Sequence, residues 1–188
     1  MAFNPNFHNR QSIRLKSYDY SKVGVYSFTI CVENRRCLLG EIQNGEMILS
    51  PLGNLIENEW YDLQNRFQNI SLDEFVIMPN HIHGIIIIKK AESNIESKGS
   101  TNIQSAENEE SITKEQKTTT LGEVIGSFKS LVYSKHLKAS QLINPDIIVG
   151  KLWQRNYFER IIWNNEDLDI IRKYIRHNPE NWENDELK

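Results

Sequence analysis

The run His81-Ile82-His83-Gly84-Ile85-Ile86-Ile87-Ile88-Lys89 constrains the fold more than any other stretch of this chain. Successive side chains of a strand point to opposite faces. Beyond His83 both faces are apolar, with Ile85 and Ile87 on one side and Ile86 and Ile88 on the other. That pattern suits the centre of a sheet. Phe75–Met78 precedes it as a second strand across Pro79-Asn80. Gly24–Glu33 alternates through Val25, Ser27, Phe28, Ile30 and Val32 and reads as another strand. Leu38–Ile42 and Met47–Leu49 flank Asn44-Gly45, which predicts a hairpin, and Tyr157–Trp163 reads as a later strand. Helical spacing marks Gly53–Phe67 through Leu55, Ile56, Trp60 and Leu63, and Leu121–Leu137 through Val124, Ile125, Phe128, Leu131 and Val132. A last helix is capped by Asn164 or Asn165, buries Leu168, Ile171 and Ile175, and stops before Pro179. The order predicts an antiparallel sheet with helices packed mainly on one face, an α+β sandwich.

At 188 residues the chain fits one domain spanning 1–188. Ser93–Thr120 has no aromatic residue and three isoleucines among polar residues, so it reads as a disordered insertion at 93–120 within that domain. No apolar run is long enough to span a bilayer, and the start lacks the apolar core of a signal peptide. The expected location is the cytoplasm, with Cys31 and Cys37 as reduced thiols. The formal charge of −3 argues mildly against a nucleic-acid partner. Residues 91–120 and 180–188 each carry a balance of −3, however, which leaves the body at +3 and able to meet phosphates.

The chemistry centres on Met78-Pro79-Asn80-His81-Ile82-His83-Gly84. Residues two apart in a strand share a side, so His81 and His83 can aim two imidazoles at one ion while Ile82 anchors the opposite face. Gly84 removes bulk on Ile82's face, which leaves room there for a close helix. Two ligands do not complete a metal site, and a pair of histidines on an exposed strand is the plain alternative. The last helix offers the remainder. Tyr174 and Asn178, at i and i+4, share a face. An amide oxygen suits a hard divalent ion such as Mg²⁺ or Mn²⁺. A phenol, with a pKa near ~10, is a nucleophile only with help, and a metal-bound phosphate is the electrophile it would meet. Taken alone, Tyr174 reads first as a half-buried aromatic beside Ile171 and Ile175.

These segments occur together with Ser12-Ile13-Arg14-Leu15-Lys16-Ser17-Tyr18-Asp19-Tyr20, Val25–Ile30, Arg35-Arg36-Cys37, Gly126-Ser127-Phe128-Lys129-Ser130, Leu152-Trp153-Gln154-Arg155-Asn156-Tyr157-Phe158 and Tyr174-Ile175-Arg176-His177-Asn178-Pro179. In this order they resemble the REP-associated tyrosine transposases, within the single-tyrosine HUH transposases of small insertion sequences. The resemblance implies a ferredoxin-like (RRM-like) HUH fold, with His81 and His83 as the metal motif, Asn178 as third ligand and Tyr174 as nucleophile. It also implies attack on single-stranded DNA beside a hairpin-forming repeat, through a 5′-phosphotyrosine and a free 3′-hydroxyl, followed by rejoining. The cofactor would be a divalent metal, Mg²⁺ or Mn²⁺. The partner would be single-stranded or hairpin DNA, not a membrane. Related transposases place the tyrosine in cis or, as homodimers, in trans.

Candidate DNA contacts are Arg10, Arg14 and Lys16, interleaved with Tyr18 and Tyr20. Lys129, Arg155, Arg172 and Arg176 are others, each of which, taken singly, reads first as plain surface charge. Tyr157 ranks second to Tyr174 as nucleophile. The acidic tail would repel DNA unless it faces away. A DNA-hairpin-binding protein that keeps the fold without turnover, and a phosphodiesterase using water, are the rival readings.

Overall fold

The computed structural model describes residues 22–90 and 119–188. The expected contacts Arg10, Arg14 and Lys16, and all but the end of the 93–120 insertion, lie outside the described residues. Four strands form one antiparallel sheet: β1 (Gly24–Cys31), β4 (Ile70–Ile77), β5 (His81–Ile88) and β6 (Phe158–Ile162), in the order β4-β5-β1-β6. The isoleucine-rich β5 is internal, as its two apolar faces require. The hairpin of β2 (Gly40–Gln43) and β3 (Glu46–Leu49) stands apart from it. Its turn puts Asn44 at φ 53° and Gly45 at φ 80°, the left-handed pair that a two-residue type I′ turn demands.

One sheet face carries the main core. Tyr26, Phe28 and Ile30 of β1 lie opposite Ile86, Gly84 and Ile82 of β5, and this face packs with α1 (Pro51–Tyr61) and α3 (Leu121–Ile143) through Ile56, Trp60, Val124 and Phe128. Both helices have well-formed starts. The Ser50 hydroxyl accepts from Gly53 N at 3.0 Å, with Pro51 in the first turn, while Thr120 and Glu123 make a reciprocal capping box. The space at Gly84 is filled by rings and not by a helix backbone. A Cβ there would stand 2.7 Å from Phe28 Cζ and 3.1 Å from Phe75 Cδ2. Trp60 of α1 stacks on Phe75 with centroids 4.4 Å apart.

Several boundaries differ from expectation, among them the last helix, which ends at Arg176 with His177 as its cap and leaves Asn178 just beyond it. The helix expected over Gly53–Phe67 starts at Pro51 and breaks at Asp62 into α1 and a short α2 (Leu63–Arg66). Helix α3 runs on past Leu137 to Ile143, where Leu142 and Ile143 are exposed and supply no apolar periodicity to read. Strand β4 begins at Ile70; its register shifts between Leu72 and Phe75, and the polar pair Asp73-Glu74 hides the strand's first half in the sequence.

The opposite face is covered by α4 (Asn165–Arg176), whose first turn is closed by the Asn164 side chain accepting from Asp167 N at 2.8 Å. Ile171 and Ile175 pack there with Ile85 and Ile162 in a second, smaller cluster. Among the described residues no helix is long and apolar enough to cross a membrane. Cys31 is buried and Cys37 exposed, both as free thiols.

Candidate active site

His81 and His83 share the face covered by α4. Their Nε2 atoms lie 3.0 Å apart, and both residues are buried. Each ring is held by its other nitrogen. Asn80 Nδ2 donates to the Leu187 carbonyl at 2.7 Å, which orients its Oδ1 to accept from His81 Nδ1–H at 2.6 Å. The Nε2 of His81 is therefore a bare lone pair. His83 Nδ1 lies 2.7 Å from Thr29 Oγ1, its cross-strand neighbour on β1. Such outer partners fix ring orientation at metal sites. Burial lowers the pKa of His81 to about 4 and that of His83 to about 3, so both are neutral at physiological pH.

A third group comes from the C-terminal end. The chain turns through a 3₁₀ segment (Pro179–Asn184) and returns to the sheet. Trp182 lies against His81, with ring centroids 6.3 Å apart. Asp185 Oδ2 stands 3.7 Å from His81 Nε2, and the ligating atoms of His81, His83 and Asp185 all fall within 4.8 Å of one another. A carboxylate facing a neutral imidazole lone pair leaves acceptor against acceptor. A cation between them resolves that, and the three residues can hold one. The acidic tail thus does not face away: Asp185 enters the site, and the Glu186 carbonyl accepts from Arg35 Nη1 at 3.0 Å. The sequence held no spacing signal for Asp185, because its approach depends on a turn outside any periodic element.

The final helix brings Tyr174 alongside. Its ring centroid is 5.3 Å from that of His83 of the same chain, edge to face, and its side chain is half exposed. Asn178 is buried, and its Oδ1 has no hydrogen-bond partner among the described residues. The Asn178 amide beside the Tyr174 phenol works to lower the phenol pKa. Burial, with Asp185 and Glu186 nearby, outweighs it and holds the phenol above its ordinary value. His83, Tyr174, Asn178 and Asp185 line one cavity of about 830 Å³. An orphaned buried amide oxygen, two neutral imidazoles and a carboxylate are a donor set that fits a hard or borderline divalent ion.

The basic residues take other places. Arg172 pairs with Asp73 and Asp169, and Arg176 with Glu74, so both guanidinium groups tie α4 to β4 or to itself. Lys129 Nζ donates to the Gln154 carbonyl at 2.7 Å and secures the strand entry, where Trp153 is buried in the core. Arg155 is exposed, and Tyr157 packs against the main core. His177 closes α4 through the Lys173 carbonyl at 2.8 Å.

No family model matches the chain. A protein of Haemophilus influenzae (strain ATCC 51907 / DSM 11121 / KW20 / Rd), described as an uncharacterized protein, is 38% identical over 185 residues, covering 98% of this chain and 96% of that one. The solved structure of a REP-associated tyrosine transposase bound to a REP hairpin superimposes with a TM-score of 0.53 at 16% identity, over 90% of this chain and 74% of that chain. The second likeness is one of fold, and it extends to the α+β arrangement of antiparallel sheet and helices.

Proposed function

This chain belongs to one family with the Haemophilus influenzae protein, and from the geometry of its own site we propose that it is a metal-dependent tyrosine transposase that nicks and rejoins single-stranded DNA beside a hairpin. The observation that carries the reading is a pair of imidazole Nε2 atoms 3.0 Å apart beside a cavity that His83 lines together with Asn178, whose oxygen is unpartnered, and the half-exposed Tyr174. The fold shared with a transposase that binds a REP hairpin supports the substrate class.

His81, His83 and Asn178 would hold a divalent ion, Mg²⁺ or Mn²⁺, and Asp185 is placed to complete the set. The ion supplies charge that makes the scissile phosphate more electrophilic and offsets the carboxylates that raise the Tyr174 pKa. Asn80 and Thr29 keep the two rings in the orientation that presents Nε2. Asn178 would serve twice, its amide favouring the phenolate and its unpartnered Oδ1 acting as the third ligand. Tyr174 Oη forms a bond to phosphorus as the bond from phosphorus to the 3′ oxygen breaks. The phenol loses its proton and the leaving 3′ oxygen gains one, so the 5′ side stays linked to the protein and a 3′-hydroxyl is released. Attack of another 3′-hydroxyl on that linkage reverses the exchange without an external energy source.

The test is incubation of purified protein with a labelled hairpin oligonucleotide bearing single-stranded flanks, in Mn²⁺. A protein–DNA adduct that survives denaturation and is lost in Tyr174→Phe is the expected result. Cleavage without an adduct indicates a water-using phosphodiesterase, and binding without either indicates a DNA-binding protein; both outcomes contradict the proposal.

A further inference from the structure

The sheet face that bears the histidines continues past them. His83, Thr29 and Phe158 lie directly opposite one another on β5, β1 and β6, so their side chains form one row. Ile85, Ser27 and Arg160 form the next row on the same face. Helix α4 covers the β5 half through Ile171 and Ile175. The β6 half stays open: Phe158 is 50% exposed, and the Arg160 side chain is exposed and only loosely paired, 3.5 Å from Asp167. Between the two lies a floor of small polar residues, Ser27 and Thr29, walled on the other side by exposed Ile170 and Tyr174. All of these line the same cavity as His83. One exposed apolar side chain needs no explanation, but Phe158, Ile170 and Tyr174 around a single cavity make a concave apolar surface.

We propose that this groove seats one unstacked nucleobase of a single strand against the Phe158 ring, with its adjoining phosphate at Arg160; the proposal rests on the DNA-cutting reading above and names how that site grips its substrate. A flat aromatic face accepts any base, since every base presents a π-face. Asp185 and Glu186 line the histidine end and repel a phosphate there unless a cation is bound, whereas Arg160 supplies positive charge at the other end. Phe158 stands two strand spacings from His83, roughly 9–10 Å, so the seated base is a near neighbour of the phosphate at the metal site.

The experiment uses the full chain in EDTA and a hairpin oligonucleotide whose single-stranded flank carries 2-aminopurine at successive positions, read by fluorescence quenching and anisotropy. Wild type should quench one position. Phe158→Ala should abolish that quenching and weaken binding roughly five- to a hundredfold, while Phe158→Trp retains both, which separates stacking from loss of fold. Arg160→Ala should flatten the slope of log affinity against log salt by about 0.7. No quenching at any position in wild type, or Phe158→Ala binding and quenching as wild type does, overturns the proposal. A wild type that forms the Mn²⁺-dependent adduct while Phe158→Ala binds normally leaves the cutting reading intact and removes only the groove. Quenching lost in Phe158→Ala without any wild-type adduct leaves the groove and removes the cutting.

Discussion

The guanidinium of Arg172 meets the carboxylate of Asp73 with two parallel bonds, Nε to Oδ1 at 2.8 Å and Nη2 to Oδ2 at 2.6 Å, and thereby ties α4 to the bulge in β4. Tyr174 lies two residues further along that helix. A bidentate pair fixes direction as well as distance, so it positions the phenol against the histidines without touching the reacting atoms. Arg172→Ala should lower stability by about 1–2 kcal/mol, a fall in Tm of roughly 2–8 °C. It should reduce adduct formation, while Mn²⁺ affinity, set largely by β5, falls less. Calorimetry and metal titration of the same preparation check both parts. An unchanged Tm would show that the pair adds nothing to the docking of α4.

Acid should destabilise the metal-free protein in a window set by the two histidines. Their folded pKa values, about 4 and about 3, lie below the ordinary imidazole value of about 6.5. Between those limits the unfolded chain binds protons that the folded chain refuses, so stability is full above about pH 6.5 and declines as pH falls toward 4. Each histidine contributes a slope of at most about 1.4 kcal/mol per pH unit. Asp73, held below the usual carboxylate range by Arg172, adds a loss of the same sign at lower pH. Thermal unfolding between pH 7 and 4.5 should show the decline, and it should shrink in His83→Ala. An identical slope in that variant would assign the effect to other groups.

Much of this was legible along the chain, for identifiable reasons. His81 and His83 share a face because strand side chains alternate; Tyr174 and Asn178 line one cavity, although the helix ends at Arg176 and Asn178 follows its cap. The apolar run after His83 placed β5 inside the sheet. Asp185 was not legible, since it reaches the site by a turn with no period. Asp73 and Glu74 broke the alternation of β4, so the strand looked short and the partners of Arg172 and Arg176 were invisible. Singly, those two arginines read as plain surface charge or as phosphate contacts, and nothing in the chain's order pointed to their carboxylates across the sheet.

Metal binding should raise the Tm of the wild-type protein and leave His81→Ala or His83→Ala unmoved. Asp185→Asn keeps the size of the side chain but removes its charge, so it should weaken Mn²⁺ affinity by roughly ten- to a hundredfold, the scale expected for loss of a supporting ligand. Isothermal titration of metal-free protein measures this directly. An Asp185→Asn variant with wild-type affinity would confine the carboxylate to a role in seating the tail, through its acceptance from Leu187 N at 2.6 Å.

Gly84→Ala should cost about 1–3 kcal/mol, because the new methyl would enter the space of Phe28 and Phe75 at 2.7 and 3.1 Å. Phe28 is buried, and both rings pack on Trp60. Denaturant unfolding should show a lower midpoint with an unchanged m-value. A midpoint equal to that of wild type would mean that this layer of the core has slack.

The most direct measurement is peptide mapping by mass spectrometry of the protein after reaction with a hairpin oligonucleotide in Mn²⁺. A nucleotide-5′-phosphate is expected on the peptide containing Tyr174, absent in His81→Ala and His83→Ala. A nucleotide on Tyr157 or any other residue, or none on a protein that has cut the DNA, would contradict it.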